Sequence, residues 1–267
     1  MTSVRSTIEA AQSVGRAALI GYLPAGYPSV DASIELVQCM VKAGVDVVEV
    51  GLPYSDPVMD GPTIQAAAEV ALAGGIRTTD VFRVVGASAA LAPTLVMTYW
   101  NPVERYGVGR FAAALADAGG AGLITPDLIP DEAGEWIGAA DRHGLDRIFL
   151  VAPSSTRRRL EMTTAASTGF VYATSVMGVT GAREQISSAA PELVRRVKEV
   201  TDLPVGVGLG VSTRQQAADV ASFADAVIVG SALVRSIANE DAVSAAAGAL
   251  AALVEDLALG VRGEVER

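Results

Sequence analysis

Short apolar runs alternate with longer amphipathic stretches along most of this chain. The apolar runs fall at 17–23, 46–51, 94–98, 121–125, 147–152, 169–174, 204–208 and 225–230. Most are rich in Val, Ile and Leu, the composition of strands buried on both faces. The intervening segments carry helical spacing. In 30–43, Ile34, Val37, Met40 and Val41 supply the apolar positions and Gly44 a stop signal. Segments 109–118, 131–143, 156–166, 190–200 and 213–222 read similarly. The long interval after the second strand holds two helices, 63–73 and 79–91. A helix over 9–14 precedes the first strand, a short one over 232–237 follows the eighth, and 240–258 forms a C-terminal helix.

Strand and helix repeated eight times predict a parallel barrel, because parallel strands need crossover connections and eight of them close the sheet. An open doubly wound sheet is the alternative. The expected fold is α/β, a single (β/α)8 TIM barrel with extra short helices. It forms one catalytic domain over residues 1–267, with 1–5 and 261–267 frayed. The length of 267 residues suits one barrel of about 250.

Composition then removes chemistries. Thirty acidic residues against twenty basic ones give a net charge of -10, which argues against a nucleic-acid or anionic-membrane partner. The longest apolar run, 245–254, is about half a membrane span, and no secretory signal is visible, so a soluble cytoplasmic protein is expected. The single Cys39 rules out an internal disulfide framework and a multi-cysteine zinc site. The single His143 rules out His-rich metal sites, and any Ser-His-Asp triad would have to use it, though it sits at a helix end on the far face. The only lysines, Lys42 and Lys198, lie on helices rather than strand ends, which disfavours a Schiff base. Arg157 to Arg159 reads as a solvated face. Cys39, Trp136 and Phe111 read as core.

Carboxylates remain. They suit acid–base work, and Mg²⁺ binding stays open. Side chains alternate along 46–51, so Val48 and Val50 face the helices while Val47 and Glu49 face the barrel interior. Glu49 thereby points into the mouth at the strand's C-terminal end, where this fold keeps its active sites. A carboxylate there is costly unless paired or functional. The next loop, stiffened by Pro53, Pro57, Pro62 and Gly61, carries Asp56 and Asp60 over the same mouth. Each of these also suits a plain acid at a helix start. Glycine-rich turns follow three late strands: Gly178 to Gly181, Gly208-Leu209-Gly210, and Gly230-Ser231. Phosphate sites in this fold commonly lie after strands seven and eight. Gly206-x-Gly208-x-Gly210 is not a dinucleotide fingerprint, because Val211 fails the third position.

Glu49 with the block Leu52-Pro-Tyr-Ser-Asp56-Pro-Val-Met-Asp60-Gly-Pro-Thr-Ile-Gln65 resembles the tryptophan synthase alpha subunit family. Segments 24–28, 99–102, 126–128 and 178–181 are similar to that family too, in its order, over about residues 5–258. The resemblance implies retro-aldol cleavage of indole-3-glycerol phosphate to indole and glyceraldehyde 3-phosphate in tryptophan biosynthesis. It implies Glu49 as the acid/base and Asp60 as the carboxylate that accepts from the indole N–H. Tyr172 matches an active-site tyrosine, and Thr180 a threonine on a mobile loop that meets Asp60. Gly181, Gly210, Gly230 and Ser231 match phosphate contacts. Tyr22 and Leu209 stand where some relatives pack phenylalanine on the indole ring. The implied partner is a beta subunit in an alpha2beta2 heterotetramer, faced by Asp56, Pro57 and the Asn101-Pro102 loop. Pyridoxal phosphate is expected only in that partner, and no cofactor or metal in this chain. Two other readings were an indoleglycerol-phosphate synthase or sugar-phosphate isomerase, and an idle regulatory subunit. The first would want a strand-end lysine, and Glu49 with Asp60 argue against the second.

Overall fold

The computed structural model describes residues 3–174, 189–208, 210–238, 240 and 242–264. Its strands are β1 (Ala18–Pro24), β2 (Val47–Gly51), β3 (Thr94–Met97), β4 (Gly122–Ile124), β5 (Asp146–Ile148), β6 (Leu150–Val151), β7 (Val171–Thr174), β8 (Val205–Gly208) and β9 (Ala226–Val229). They form one sheet in the order β5-β4-β3-β2-β1-β9-β8-β7-β6, and every pairing is parallel.

The two ends of that order are one strand. Only Phe149 separates β5 from β6. β5 sets Ile148 opposite Ile124 of β4, and β6 sets Leu150 opposite Tyr172 of β7. The N–H groups of Thr168 and Tyr172 donate to the carbonyls of Arg147 and Phe149 (2.9 and 3.2 Å). The expected run 147–152 is therefore the seam at which the barrel closes, and it divides because its ladder partner changes. This closure excludes the open doubly wound sheet.

The helices are α1 (Val4–Ser13), α2 (Val30–Lys42), α3 (Pro62–Ala73), α4 (Thr78–Ala89), α5 (Trp100–Tyr106), α6 (Val108–Asp117), α7 (Gly134–His143), α8 (Arg157–Ala166), α9 (Ala189–Lys198), α10 (Arg214–Ala221), α11 (Ser231–Ile237) and α12 (Val243–Val261). Three expectations need correction. Asn101 and Pro102 lie in the first turn of α5, not in a loop. A proline is tolerated there because first-turn N–H groups have no partner within the helix. Both oxygens of Asp127 accept from the Trp100 N–H (2.9 and 3.1 Å), which satisfies another of those groups. The expected helix 131–143 opens instead as a 3-10 turn, Pro130–Glu132, and α7 starts only at Gly134. Helical order also reaches into both segments expected to fray. Val4 is buried behind a Ser3 cap that accepts from the Ser6 N–H (3.1 Å), and Val261 is buried at the end of α12.

The strand alternation sorts the core into two layers. Ala18, Ile20, Val47, Leu95, Ile124, Ile148, Phe170, Ala226 and Ile228 fill the barrel, and Val4, Ile8 and Ala11 of α1 join them as a plug. Val48 and Val50 belong to the outer layer between sheet and helices, with Leu36, Val37 and Met40 of α2 and with Trp136 and Phe111. Across 19 residues, α12 is long and apolar enough to cross a membrane by length and composition alone, beyond what 245–254 suggested. Its Leu250, Val254 and Leu257 are nevertheless fully buried, and it packs on α2, α10 and α11.

Aspartates brace the barrel's N-terminal end. Asp225 accepts from the Val205 N–H (2.8 Å) on one oxygen and from Gln12 and Lys198 (2.6 and 2.7 Å) on the other. Asp46 accepts from the Leu19 N–H (2.8 Å) and, bidentate, from Arg16 (2.7 and 2.8 Å). Lys198 is thus a structural cation, while Lys42 and His143 are exposed at helix ends. Asp225→Ala leaves the buried Val205 N–H without its acceptor. It is expected to lower unfolding free energy by about 2 kcal/mol in urea denaturation. The half-exposed Lys198 adds little to that loss.

Candidate active site

The inward positions at the C-terminal ends of the strands alternate large and absent side chains. A Cβ on Gly51 would sit 2.2 Å from the Tyr22 hydroxyl oxygen, and one on Gly208 would sit 2.5 Å from that of Tyr172. In the ladders Tyr22 pairs with Glu49, and Tyr172 with Gly206. Each ring therefore leans over the glycine two positions further along its neighbouring strand. The glycines are there because the tyrosines occupy their side-chain space.

Glu49 projects from β2 into this cup, opposite Tyr22 in the ladder and near enough for its charge to act on both tyrosines. It is 1% exposed, and its Oε1 has no hydrogen-bond partner among the described residues. Burial alone pushes its carboxyl up to about 8. At neutral pH it is mostly protonated and can give a proton and take one back. That property suits a general acid–base group.

Asp60 hangs over the cup from the loop between β2 and α3. It does not cap α3: Gly61 holds that position without a side-chain cap bond, and Pro62 opens the helix. Gln65 Nε2 donates to the Asp60 carbonyl (2.8 Å) and steadies the turn. Burial raises the Asp60 carboxyl above its ordinary value, and a hydrogen bond from the Tyr99 hydroxyl opposes that rise. Burial first, and then the nearby carboxylates of Asp60 and Glu49, hold the Tyr22 and Tyr172 hydroxyls firmly protonated. Glu49, Asp60, Tyr22 and Tyr172 therefore share one electrostatic environment.

Across the mouth, β8 and β9 lead into the glycine turns. Gly210 takes a left-handed backbone (φ +70°), which favours glycine. Gly230 caps α11 with no side-chain bond, and Ser231 is the first helical residue. Thr180, Gly181 and Leu209 lie outside the described residues, as does the whole turn from Gly178 to Gly181. Among the described residues no group of three or more His, Cys, Asp or Glu side chains is placed to hold a metal.

Outside the cup, Asp56, Asn101 and Pro102 line one groove of about 540 Å³ with Tyr54 and Arg105. Pro57 is next to Val58, an apolar side chain 70% exposed on the same loop. Sequence reasoning passed over Tyr99, which links groove and cup. Its ring lies 5.5 Å from that of Tyr54, and its hydroxyl accepts from the Met59 N–H (3.0 Å). The available signal was alternation: Leu95 and Met97 mark the inward face of the third strand, and Tyr99 continues it.

The fold defines a class, the (β/α)8 barrels, here with two carboxyls at the C-terminal mouth of the sheet. Within it, a family model for the tryptophan synthase alpha chain matches residues 8–261. The tryptophan synthase alpha chain of Mycobacterium avium is 62% identical over 255 residues, covering 95% of this chain and 92% of the relative. That of Salinispora arenicola is 60% identical over 263 residues, covering 98% of each. A structure of Mycobacterium tuberculosis tryptophan synthase superposes with a TM-score of 0.92 at 57% identity, covering 98% of this chain and 99% of that one. The alpha-subunit of Pyrococcus furiosus does so at 0.83 and 33%, covering 91% and 98%. The chain belongs to the tryptophan synthase alpha chain family. It is a lyase that cleaves indole-3-glycerol phosphate in tryptophan biosynthesis, in complex with a beta subunit.

The protonated Glu49 has a consequence for stability. In the unfolded chain this carboxyl ionises near 4.5, whereas in the fold it holds its proton to about 8. Between those values the folded state binds more protons, so stability falls as pH rises, by up to ~1.4 kcal/mol per unit from this group. Glu49→Gln removes that dependence. Its stability relative to the unsubstituted protein, from urea unfolding, is expected to grow steadily from pH 5 to pH 8. A pH-independent difference would show that Glu49 is not held protonated.

Proposed function

We propose that Glu49 and Asp60 divide the cleavage between them. The observation that carries this reading is the buried Glu49 carboxyl, without a partner on Oε1 and protonated at neutral pH. Glu49 gives its proton to indole C3, and the resulting carboxylate takes the proton of the side-chain hydroxyl. The carbon–carbon bond breaks, its electron pair returns to the ring, and the former hydroxyl carbon leaves as the aldehyde of glyceraldehyde 3-phosphate. One proton enters and one leaves, so the same carboxyl finishes in its starting state. Asp60 accepts from the indole N–H and offsets the positive charge that develops when C3 is protonated. Tyr22 and Tyr172 flank the ring.

Gly210, Gly230 and Ser231 hold the phosphate with backbone N–H groups and one hydroxyl, joined by Gly181. By resemblance to the family, Thr180 is the partner of Asp60 and Leu209 the residue against the indole ring. Local donors must do this work because the protein's net charge of -10 repels an anionic substrate. The groove of Asp56, Asn101 and Pro102, with Pro57 on its rim, is the reading for the beta-subunit contact in an alpha2beta2 assembly. Pyridoxal phosphate belongs to that subunit, and this chain uses no cofactor of its own. One catalytic domain spanning the chain, in the cytoplasm, goes with this reading.

The test is indole release from indole-3-glycerol phosphate, with and without a beta subunit. Glu49→Gln is expected to lower kcat by roughly 10²-fold or more, the range of a lost general acid–base group. Near-full turnover would sink the assignment. Asp60→Asn is expected to slow cleavage severely as well. The rate of the unsubstituted protein should fall as pH passes about 8, where Glu49 loses the proton it must give. EDTA should leave that rate unchanged.

A further inference from the structure

We propose that Tyr99 is a positioning residue for Asp60: its hydroxyl, set between the Met59 backbone N–H and the Asp60 carboxylate, holds that carboxylate where the indole N–H arrives. The inference rests on the role given to Asp60 above. Asp60 needs an outside support. It lies on a loop that belongs to no strand or helix, and it makes no cap to α3. Tyr99 supplies a rigid one. It continues the inward face of β3 and is 5% exposed, and its own backbone forms the cap of α5. Asp127 fixes that cap through the Trp100 N–H, and the Tyr54 ring packs on the outer side. At the tip, the hydroxyl oxygen accepts from Met59 (3.0 Å), which leaves its single proton to donate to the neighbouring carboxylate.

Among the described residues the groups around Asp60 come from several elements: Tyr22 from β1, Glu49 from β2 through the tyrosines it shares, Tyr172 from β7 and Tyr99 beyond β3. The first three are protonated and neutral at pH 7. Tyr99 donates the hydrogen bond that favours the ionised form of Asp60. Asp127 is turned to Trp100, and Asp56 and Arg105 lie in the groove on the far side of Tyr54. Removing the Tyr99 hydroxyl should therefore leave Asp60 harder to ionise and less well aimed.

The experiment is Tyr99→Phe, assayed for indole release in complex with a beta subunit across pH 5.5–9. The expected result is a roughly tenfold lower kcat at pH 7, the scale of one hydrogen bond to a charged group. KM should change little. The acid limb of the rate profile should move to higher pH, and in an Asp60→Asn background Tyr99→Phe should cost nothing further. An equal loss at every pH, additivity with Asp60→Asn, or a loss that tracks the fraction unfolded by circular dichroism would each overturn the proposal. If Asp60→Asn slows cleavage while Tyr99→Phe does not, only the proposal fails. If Asp60→Asn itself leaves the rate unchanged, the reading of Asp60 fails and Tyr99 has nothing to position.

Discussion

The structure turns on one costly fact, an ionisable carboxyl inside a closed barrel with no cation among the described residues to neutralise it. A barrel interior must be filled, and most of this one is filled by aliphatic side chains and Phe170. Glu49 occupies the layer above them. Burial disfavours its charged form, so the group stays protonated to about pH 8. Its protonation state near neutral pH follows directly from the place the strand gives it.

The surrounding residues preserve that place. Tyr22 and Tyr172 wall the cup, and each requires a glycine on the adjacent strand to make room for its ring. The two phenols stay neutral, so they exclude water without adding charge beside Glu49. Asp60 is less buried and sits beside a donor: burial raises its carboxyl above the ordinary value, and the Tyr99 hydroxyl opposes that rise. The two carboxyls thus meet different surroundings: burial raises both, and only Asp60 has a hydrogen bond that opposes the rise.

The opposite end of the barrel follows different rules. There the carboxylates are saturated: Asp46 and Asp225 each take backbone N–H groups of a neighbouring strand together with a cation. Fully paired acids brace the N-terminal end, and at the C-terminal mouth Glu49 leaves Oε1 without a partner among the described residues. A carboxyl group supports the fold at one end and keeps its proton at the other. The difference is whether donors surround it.

The amino-acid sequence by itself determined the repeat of strand and helix, the inward direction of Glu49 and the thinness of every metal, thiol and amine route. Alternation with period two is local, so it can be read without knowing what packs where. The seam between β5 and β6 could not be read that way, since the exchange of ladder partners from β4 to β7 depends on strands far apart in the chain. The helix α5 escaped for the same reason: its first N–H is satisfied by Asp127, 27 residues on. Asp60 looked equally like a helix cap until the cap proved to be Gly61. Tyr99 showed its contact with the loop only once β3 lay beside β2. Burial, and with it the proton on Glu49, was decided by tertiary structure alone, because desolvation is a property of everything that surrounds a group rather than of its neighbours in the chain.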